Sequence, residues 1–323
     1  MSRTVLVTGG AGYLGSTVVE ALLQQAYSVR VIDALCFGGA ALLPFGGNSR
    51  FEFLHGDIRD RSRVQTALNG VDTVVHLAAV VGDPACARQP VEAQEVNVDA
   101  TAALFEESCR ANVSGFLLAS TCSAYGATES SNTLADENTE LAPLSFYART
   151  KVECEELVLK EADRSRPAVT ALRLATLYGV SARMRFDLTV NDFTMQMFTN
   201  RQLTVHAAET WRPYVHVRDA ARAVCTVLSA QDKARQQIYN VGSTAQNYRK
   251  ADIVRMAQTQ IPEATVEYKE QSVDRRNYRV SFDKIEKQFH FQACRTVVAA
   301  ISEIVHLLRS GVISHPNDPI FHN

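Results

Sequence analysis

Two side chains in the segment LSFYARTKVECEELVLK, residues 144–160, could move a proton together. Tyr147 and Lys151 are four residues apart, so on a helix they share one face. A tyrosine at its ordinary pKa of about 10 is a poor base at neutral pH, but a nearby ammonium and a bound cationic ring both favour the phenolate. Such a phenolate could take a proton from a substrate hydroxyl. The pair would also fit an ordinary helix surface, so its surroundings decide between these interpretations.

Hydroxyl side chains lie upstream of this pair, in GFLLASTCSAYG, residues 115–126. The segment resembles an apolar strand that ends in Ser, Thr and Cys. The carboxyl ends of strands in a doubly wound sheet face the ligand crevice, so Thr121 is expected to hydrogen-bond the same substrate oxygen as Tyr147. Cys122 is expected to point away, because side chains alternate along a strand. The predicted catalytic residues are Thr121, Tyr147 and Lys151.

A glycine-rich turn, VTGGAGYLGS at residues 7–16, follows a short β-rich run and precedes a helical pattern. Three of its glycines have the spacing GxxGxxG, a variant of the dinucleotide fingerprint: Gly9, Gly12 and Gly15. Glycine lets the turn close and lets backbone approach a pyrophosphate, and the helix N-terminus offers free N–H groups. Tyr13 and Leu14 begin that helix and belong to the predicted binding turn. A tight strand-to-helix turn without a ligand is the alternative.

The units that follow favour the dinucleotide interpretation. Asp33 ends the second strand, eighteen residues after Gly15, where a carboxylate can accept hydrogen bonds from both ribose hydroxyls and repel a 2′-phosphate. This favours NAD over NADP. Asp57 and Ile58 follow the third strand and are placed to touch an adenine edge. The fourth strand, VDTVVHLAAVVG, ends in small residues that let backbone approach a flat ligand. The other predicted cofactor-binding residues are Leu77, Ala78, Ala79, Tyr147 and Lys151, the last holding the nicotinamide ribose.

Strands and helices alternate to about residue 175, which predicts an α/β fold with a Rossmann-type doubly wound parallel sheet. After that point the periodicity is irregular, and a smaller C-terminal substrate domain is expected. The predicted division is residues 1–175 plus 213–245 for the NAD-binding domain. Residues 176–212 plus 246–323 form the predicted nucleotide-sugar-binding domain.

The bulk composition excludes several other classes of protein. The net charge of −2 over 323 residues argues against a nucleic-acid binder, and no run approaches the length of a membrane span. Seven cysteines without paired spacing predict free thiols in a reducing cytoplasm. The eight histidines show no metal-ligand spacing, so no metal is expected.

Together these motifs resemble the extended short-chain dehydrogenase/reductase family, in its nucleotide-sugar epimerase and dehydratase branch, which includes UDP-glucose 4-epimerase. The resemblance covers nearly the whole chain and is carried by TGGAGYLG, GDI, HLAA, STCSAYG, YARTK, LRLATLYG and RPYVHVRDAARAV. Three further stretches, GDPACARQP, SARMRFDLTVNDFT and RRNYRVS, are similar to a GDP-manno-heptose 4-dehydrogenase branch.

The resemblance also implies a substrate site. Arg212 and Arg276 would clamp a nucleotide diphosphate, Arg185 and Asn191 would contact the base or sugar, and Thr176 stands where many relatives have an asparagine that touches the substrate. Dehydratases of the family carry an Asp-Glu pair directly after the threonine, where this chain has Cys122 and Ser123. That difference disfavours chemistry beyond hydride transfer at one carbon. The expected substrate-binding residues are Ser123, Thr176, Arg185, Asn191, Arg212 and Arg276.

The expected function is therefore an NAD-dependent 4-epimerase of an NDP-hexose or NDP-heptose, which oxidises C4 transiently and returns the hydride to the other face. Two alternatives stay open. One is a 4-dehydrogenase or 4-ketoreductase with net redox, and the other is a non-catalytic NAD-sensing module. The family resemblance further implies a homodimer formed through the helices near residues 95–112 and 145–163, whose apolar stripes include Val98, Ala102 and Phe105.

Overall fold

The computed structural model describes residues 3–127, 133–162, 167–269 and 276–323. The strands within these ranges are β1 (Thr4–Thr8), β2 (Ser28–Asp33), β3 (Phe51–His55), β4 (Thr73–His76), β5 (Gly115–Thr121), β6 (Leu134–Ala135), β7 (Ala168–Leu174), β8 (Thr176–Tyr178), β9 (Gln202–His206), β10 (Trp211–His216), β11 (Gln237–Val241), β12 (Asn247–Arg249), β13 (Thr265–Lys269) and β14 (Arg279–Val280). The α-helices are α1 (Tyr13–Gln24), α2 (Arg61–Leu68), α3 (Asp83–Arg88), α4 (Pro90–Gln94), α5 (Ala100–Arg110), α6 (Phe146–Lys160), α7 (Thr189–Asn200), α8 (Val217–Ser229), α9 (Lys250–Gln258), α10 (Asp283–Phe289) and α11 (Val297–Arg309). A short π-helical turn, Glu95–Asp99, leads into α5.

Seven strands form a parallel sheet in the order β11-β7-β5-β4-β1-β2-β3. The chain first builds outward from β1 to β3 and then returns to the other side of β1, which is the doubly wound arrangement. Strands such as TVLVT in β1 and TVVH in β4 are apolar on both faces, because helices cover both sides of a parallel sheet. The predicted α/β Rossmann-type fold is confirmed.

Two apolar layers cover the sheet. Val5 and Val7 pack in one core with the residues of α1 and α8, whereas the alternate residue Leu6 packs in a second core with those of α2, α5 and α6. This alternation follows from the two-residue period of a strand. As a result, α1 and α6 approach the carboxyl end of the sheet from opposite sides.

A smaller unit has its own core, in which Tyr178, Val190, Ile253 and Ile301 are fully buried. It contains the three-stranded sheet β12-β10-β8 and the helices α7, α9 and α11. The segment 213–245 contributes to both units, because β10 pairs with β8 and β12 while β11 forms an edge of the large sheet. The predicted division into residues 1–175 plus 213–245 and residues 176–212 plus 246–323 therefore stays a prediction.

Three properties of the described ranges bear on the environment of the protein. None of their helices combines the length and the apolar character needed to cross a bilayer. No three of their His, Cys, Asp or Glu side chains are placed to hold a metal ion. All seven cysteines are free thiols.

Candidate active site and cofactor cavity

A cavity of about 620 Å³ opens where β1 to β5 end at the carboxyl edge of the large sheet. Cofactor and ligand cavities are typically about 300–1,000 Å³, so the volume suits a bound dinucleotide. The structure brings to its wall every residue that the sequence predicts to bind the cofactor: Gly9, Gly12, Tyr13, Leu14, Gly15, Asp33, Asp57, Ile58, Leu77, Ala78, Ala79, Tyr147 and Lys151.

The glycine turn packs too closely for side chains. Gly9 has φ +72°, and a Cβ atom on it would lie 2.8 Å from the backbone nitrogen of Ala78. A Cβ atom on Gly15 would overlap the carbonyl oxygen of Gly9. Ser16 is the residue whose N–H makes the first bond of α1, to Gly12 at 3.0 Å, and no side chain in the described ranges caps this helix. The N–H groups of its first turn therefore suit an anionic ligand such as a pyrophosphate.

The carboxylate of Asp33 is held rigidly beside this turn. Its Oδ2 accepts a hydrogen bond from the Ala11 N–H at 2.9 Å, and its Oδ1 accepts one from the Leu35 N–H at 2.8 Å. Each oxygen keeps a lone pair for a further donor, as recognition of ribose hydroxyls requires. Asp57 is engaged differently, because the Arg59 side chain donates to it at 2.7 Å and lowers the pKa of its carboxyl.

The helix α6 carries Tyr147 and Lys151 into the cavity. Ser145 begins this helix by accepting a hydrogen bond from the Ala148 N–H at 3.1 Å. The side chain of Lys151 is buried, and no group in the described ranges hydrogen-bonds its ammonium. A buried ammonium on the wall of a cavity fits the predicted ribose contact, since a ligand oxygen would supply the missing partner.

Burial dominates the electrostatics of this pair in the chain alone. Burial raises the pKa of Tyr147, and the Arg185 guanidinium opposes that rise without overcoming it. Burial likewise lowers the pKa of Lys151. In the chain alone, desolvation therefore outweighs the nearby positive charge of Arg185. The predicted lowering of the phenol's pKa also involves a bound cationic ring and stays a prediction.

The hydroxyl-rich end of β5 is close to the cavity, but only part of it forms the wall. Ala119 and Ser120 line the cavity, whereas Thr121 does not, and its Oγ1 accepts a hydrogen bond from the Ser123 N–H at 3.1 Å. The Cys122 thiol is fully buried and donates to a main-chain oxygen of β7 at 3.1 Å. Cys122 thus points into the core, as expected, although it begins the 3₁₀ turn Cys122–Tyr125 directly after β5 rather than continuing the strand.

Three of the six expected substrate residues meet around Tyr278. The Ser123 hydroxyl lies 3.2 Å from the Tyr278 hydroxyl, and the Arg212 guanidinium lies 5.3 Å from the centre of that ring. Arg212 also donates to the main-chain oxygen of Arg276, whose side chain forms an ion pair with Asp83. This cluster lies outside the lining of the cavity.

The other three expected substrate residues are dispersed. Arg185 is buried and lines the cavity. Asn191 is fully buried and does not line it: its amide accepts from the Gly179 N–H at 2.9 Å and donates to the Tyr13 hydroxyl at 3.2 Å. It thereby supports the backbone beside the first residue of α1. Thr176 lies in β8, pairs with β10 and does not line the cavity either.

Several residues of the wall are not among those predicted from the sequence. They include Cys36, Phe37, Arg59, Arg88, Glu92, Ser120, Arg183 and Asn323. Four of them, Cys36, Phe37, Arg59 and Arg183, follow a strand end or lie in the irregular segment after β8, where no periodicity marks which side chains face inward. The closely spaced arginines of SARMRFD are the available signal, and only the second, Arg185, is predicted to bind substrate.

Comparison with known proteins supplies the family. The family described as "Epimerase: NAD dependent epimerase/dehydratase family" matches residues 5–242. The chain belongs to this family. The predicted family resemblance is thereby confirmed, and the cofactor is NAD.

Relatives of this family member include UDP-glucose 4-epimerases. The enzyme of Corynebacterium glutamicum is 27% identical over 254 residues, which cover 74% of this chain and 75% of the relative. The enzyme of Yersinia enterocolitica is 33% identical over 177 residues, which cover 53% of this chain and 52% of the relative.

Solved structures share the fold over nearly the full length. The UDP-glucose 4-epimerase of Thermotoga maritima, solved with UDP-glucose, has a TM-score of 0.86 and 25% identity, covering 96% of this chain and 100% of that one. A dTDP-glucose 4,6-dehydratase from Streptomyces venezuelae, solved with NAD, has a TM-score of 0.88 and 24% identity, covering 98% of this chain and 100% of that one. The protein is therefore an NAD-dependent member of a nucleotide-sugar epimerase and dehydratase family.

Proposed function

We propose that the protein is a nucleotide-sugar 4-epimerase that acts on C4 of an NDP-hexose or NDP-heptose. When bound, NAD accepts a hydride from the sugar carbon and can return it. Tyr147 takes the proton of the C4 hydroxyl as the hydride leaves and gives it back afterwards. Lys151 holds the cofactor ribose and adds positive charge beside the phenolate, and Thr121 hydrogen-bonds the sugar oxygen.

The observation that carries this proposal is the chemistry available at the end of β5. Removal of water from a sugar needs acids and bases besides the phenol, and a carboxylate pair would suit that task. Here the Cys122 thiol is turned into the core and the Ser123 hydroxyl faces that of Tyr278. Tyr147 is thus a proton-transfer group that the cavity wall offers beside Lys151. Reversible oxidation at a single carbon needs no other.

The substrate is expected to be anchored by its diphosphate. Arg212 and Arg276 are joined through a hydrogen bond and can donate to phosphate oxygens in the planar manner that arginine favours. Arg185, which pairs with Asp187, places a further guanidinium at the cavity. A diphosphate held at its far end would leave the sugar free to turn, so that the hydride can return to either face.

The test is to incubate the purified protein with single nucleotide sugars deuterated at C4. A 4-epimerase gives a C4 stereoisomer of unchanged mass that keeps its deuterium, without added NAD being consumed. The Tyr147→Phe variant is the matched control and should give no product.

Other outcomes would overturn the assignment. A product lighter by one deuterium and one hydrogen, with the deuterium transferred to added NAD, identifies a 4-dehydrogenase. A product lighter by one water identifies a dehydratase. No turnover of UDP-, GDP-, ADP-, CDP- or dTDP-sugars, with NAD bound, identifies a sensing module.

We further propose a homodimer in the cytoplasm, formed through the outer faces of α5 and α6. Val98 and Phe105 are buried in the core, so the apolar stripe expected there is already used, and half-buried Ala102 and Ala103 are left on the outer side. Free thiols support a reducing compartment. Light scattering should give twice the monomer mass, and Ala103→Arg should give monomer. A wild-type monomer would contradict the proposal.

A further inference from the structure

An arginine without an anionic partner forms part of the cofactor cavity. Arg183 lines the cavity and is only 6% exposed. Its Nε is buried with no hydrogen-bond acceptor, and its Nη2 makes a long contact of 3.4 Å to the main-chain oxygen of His322. The guanidinium carbon lies 3.9 Å from the centre of the Phe37 ring. The side chain is thus fixed in position while much of its hydrogen-bonding capacity is unused.

The charge of Arg183 is not neutralised by the chain. In the described ranges no carboxylate forms an ion pair with it, because the neighbouring Asp187 pairs with Arg185, whose Nε donates at 3.0 Å. Burial, together with the like charge of Arg185, lowers the pKa of Arg183 to about 10. A buried charge is costly unless it is paired, so a cation in this setting favours an anionic ligand.

The position of Arg183 indicates which anion. Its segment is attached to the first turns of α1, because the Ser181 hydroxyl donates to the Tyr13 main-chain oxygen at 2.6 Å and lies 3.1 Å from the Ser16 hydroxyl. On its other side Arg183 stacks on Phe37, four residues beyond Asp33. It therefore lies between the uncapped N-terminus of α1 and the carboxylate that suits the adenosine ribose. In a dinucleotide, the pyrophosphate occupies that interval.

We propose that Arg183 binds the pyrophosphate of NAD. The glycine turn contains no lysine or arginine, so within the turn only backbone N–H groups would face two negative charges. A guanidinium can donate two parallel hydrogen bonds to phosphate oxygens, and stacking on Phe37 holds its plane in place beforehand. This inference rests on NAD as the cofactor and is independent of the reaction at the sugar.

The experiment measures dinucleotide binding to the full chain, freed of cofactor, by calorimetry. Arg183→Gln should weaken NAD and ADP-ribose by about tenfold to 100-fold, the usual range for loss of a charged hydrogen-bonding partner. Arg183→Lys should recover part of that loss. Adenosine, which has no phosphate, should bind the wild type and both variants equally.

Arg201→Gln is the matched control. Arg201 also stacks on a phenylalanine, 5.1 Å from the centre of the Phe198 ring, but it pairs with Glu263 and lies outside the cavity lining. This variant should bind NAD like the wild type. The melting temperature supplies a second readout: Arg183→Gln should leave that of the cofactor-free protein unchanged or raised, while the increase caused by NAD becomes smaller.

Three results would overturn the proposal. Equal weakening of adenosine and NAD would mean that Arg183 only shapes the pocket. Unchanged NAD affinity with weaker binding of UDP or GDP would assign the guanidinium to the substrate diphosphate. A lower melting temperature of cofactor-free Arg183→Gln, with normal NAD affinity, would make the side chain structural. Sugar turnover enters none of these measurements, so failure of the 4-epimerase assignment would leave the result unaffected.

Discussion

Among single residues, Tyr147 and Lys151 show how strongly the site depends on its ligand. Burial disfavours the charged form of both, raising the pKa of the phenol and lowering that of the ammonium. The same burial would strengthen any charge interaction with a bound cationic ring, because the surroundings have a low dielectric constant. Proton transfer by Tyr147 is therefore expected to require an occupied cofactor cavity.

The first prediction concerns Tyr147→Phe. Removal of the hydroxyl should lower kcat by about 100-fold to 10,000-fold, which is the usual contribution of a general base. NAD affinity should stay within a factor of about two, since the ring still fills the same space. Steady-state kinetics and calorimetry on the same preparation provide both values. Near wild-type turnover would show that another group takes the proton.

The second prediction concerns Asp33→Ala. The carboxylate is held by the N–H groups of Ala11 and Leu35, so its loss removes both the ribose contact and the repulsion of a 2′-phosphate. NAD should bind about tenfold more weakly, as expected for the loss of one charged hydrogen bond. The affinity for NADP should stay the same or increase. The decisive measurement is the ratio of the two Kd values, because a purely structural loss would weaken both dinucleotides alike.

At the scale of secondary-structure elements, the sequence predicts the features that depend on residues close together in the chain. The glycine turn, the carboxylate at the end of β2 and the Tyr147–Lys151 pair are local patterns, and each lies on the wall of one cavity. The surroundings of Asn191 and Arg183 depend on how the segment after β8 packs against α1. No local pattern encodes that contact. The sequence alone therefore does not predict that Asn191 is buried and supports the backbone beside α1, or that Arg183 faces the cavity.

The third prediction tests the packing of the glycine turn against α1. Gly15→Ala would place a methyl group against the carbonyl oxygen of Gly9, so the helix or the turn must shift. The free energy of unfolding should fall by about 1–3 kcal/mol, the usual cost of overpacking, and NAD affinity should fall with it. Denaturant unfolding and calorimetry measure the two effects.

Gly47→Ala is the control for this substitution. A Cβ atom there meets nothing within 4 Å, and its φ lies outside the positive range that strains an alanine. Its stability and NAD affinity should equal those of the wild type. If Gly15→Ala behaved in the same way, the close approach of the turn to the helix would not be needed for binding.

For the whole molecule, two buried histidines link stability to pH. The His76 ring nitrogens lie 2.7 Å from the Thr8 hydroxyl and 2.8 Å from that of Thr101, and burial lowers the pKa of this imidazole to about 3. Burial also lowers the pKa of His216 to about 4. Both rings are neutral in the folded protein at neutral pH, and both would be protonated more readily in the unfolded chain.

The fourth prediction follows from that difference. Below the unfolded pKa of about 6.5, the unfolded chain binds more protons than the folded protein. The contribution of each buried histidine to the free energy of unfolding is therefore fully present above that pH. It is lost as the pH falls toward the folded pKa values. Each histidine should contribute a slope of about 1.4 kcal/mol per pH unit, measured by denaturant unfolding between about pH 5 and pH 6. His76→Gln, which can still bond both threonines, should halve the slope, whereas exposed His206→Gln should leave it unchanged. A free energy of unfolding that is constant across this range would mean that neither imidazole is held neutral by burial.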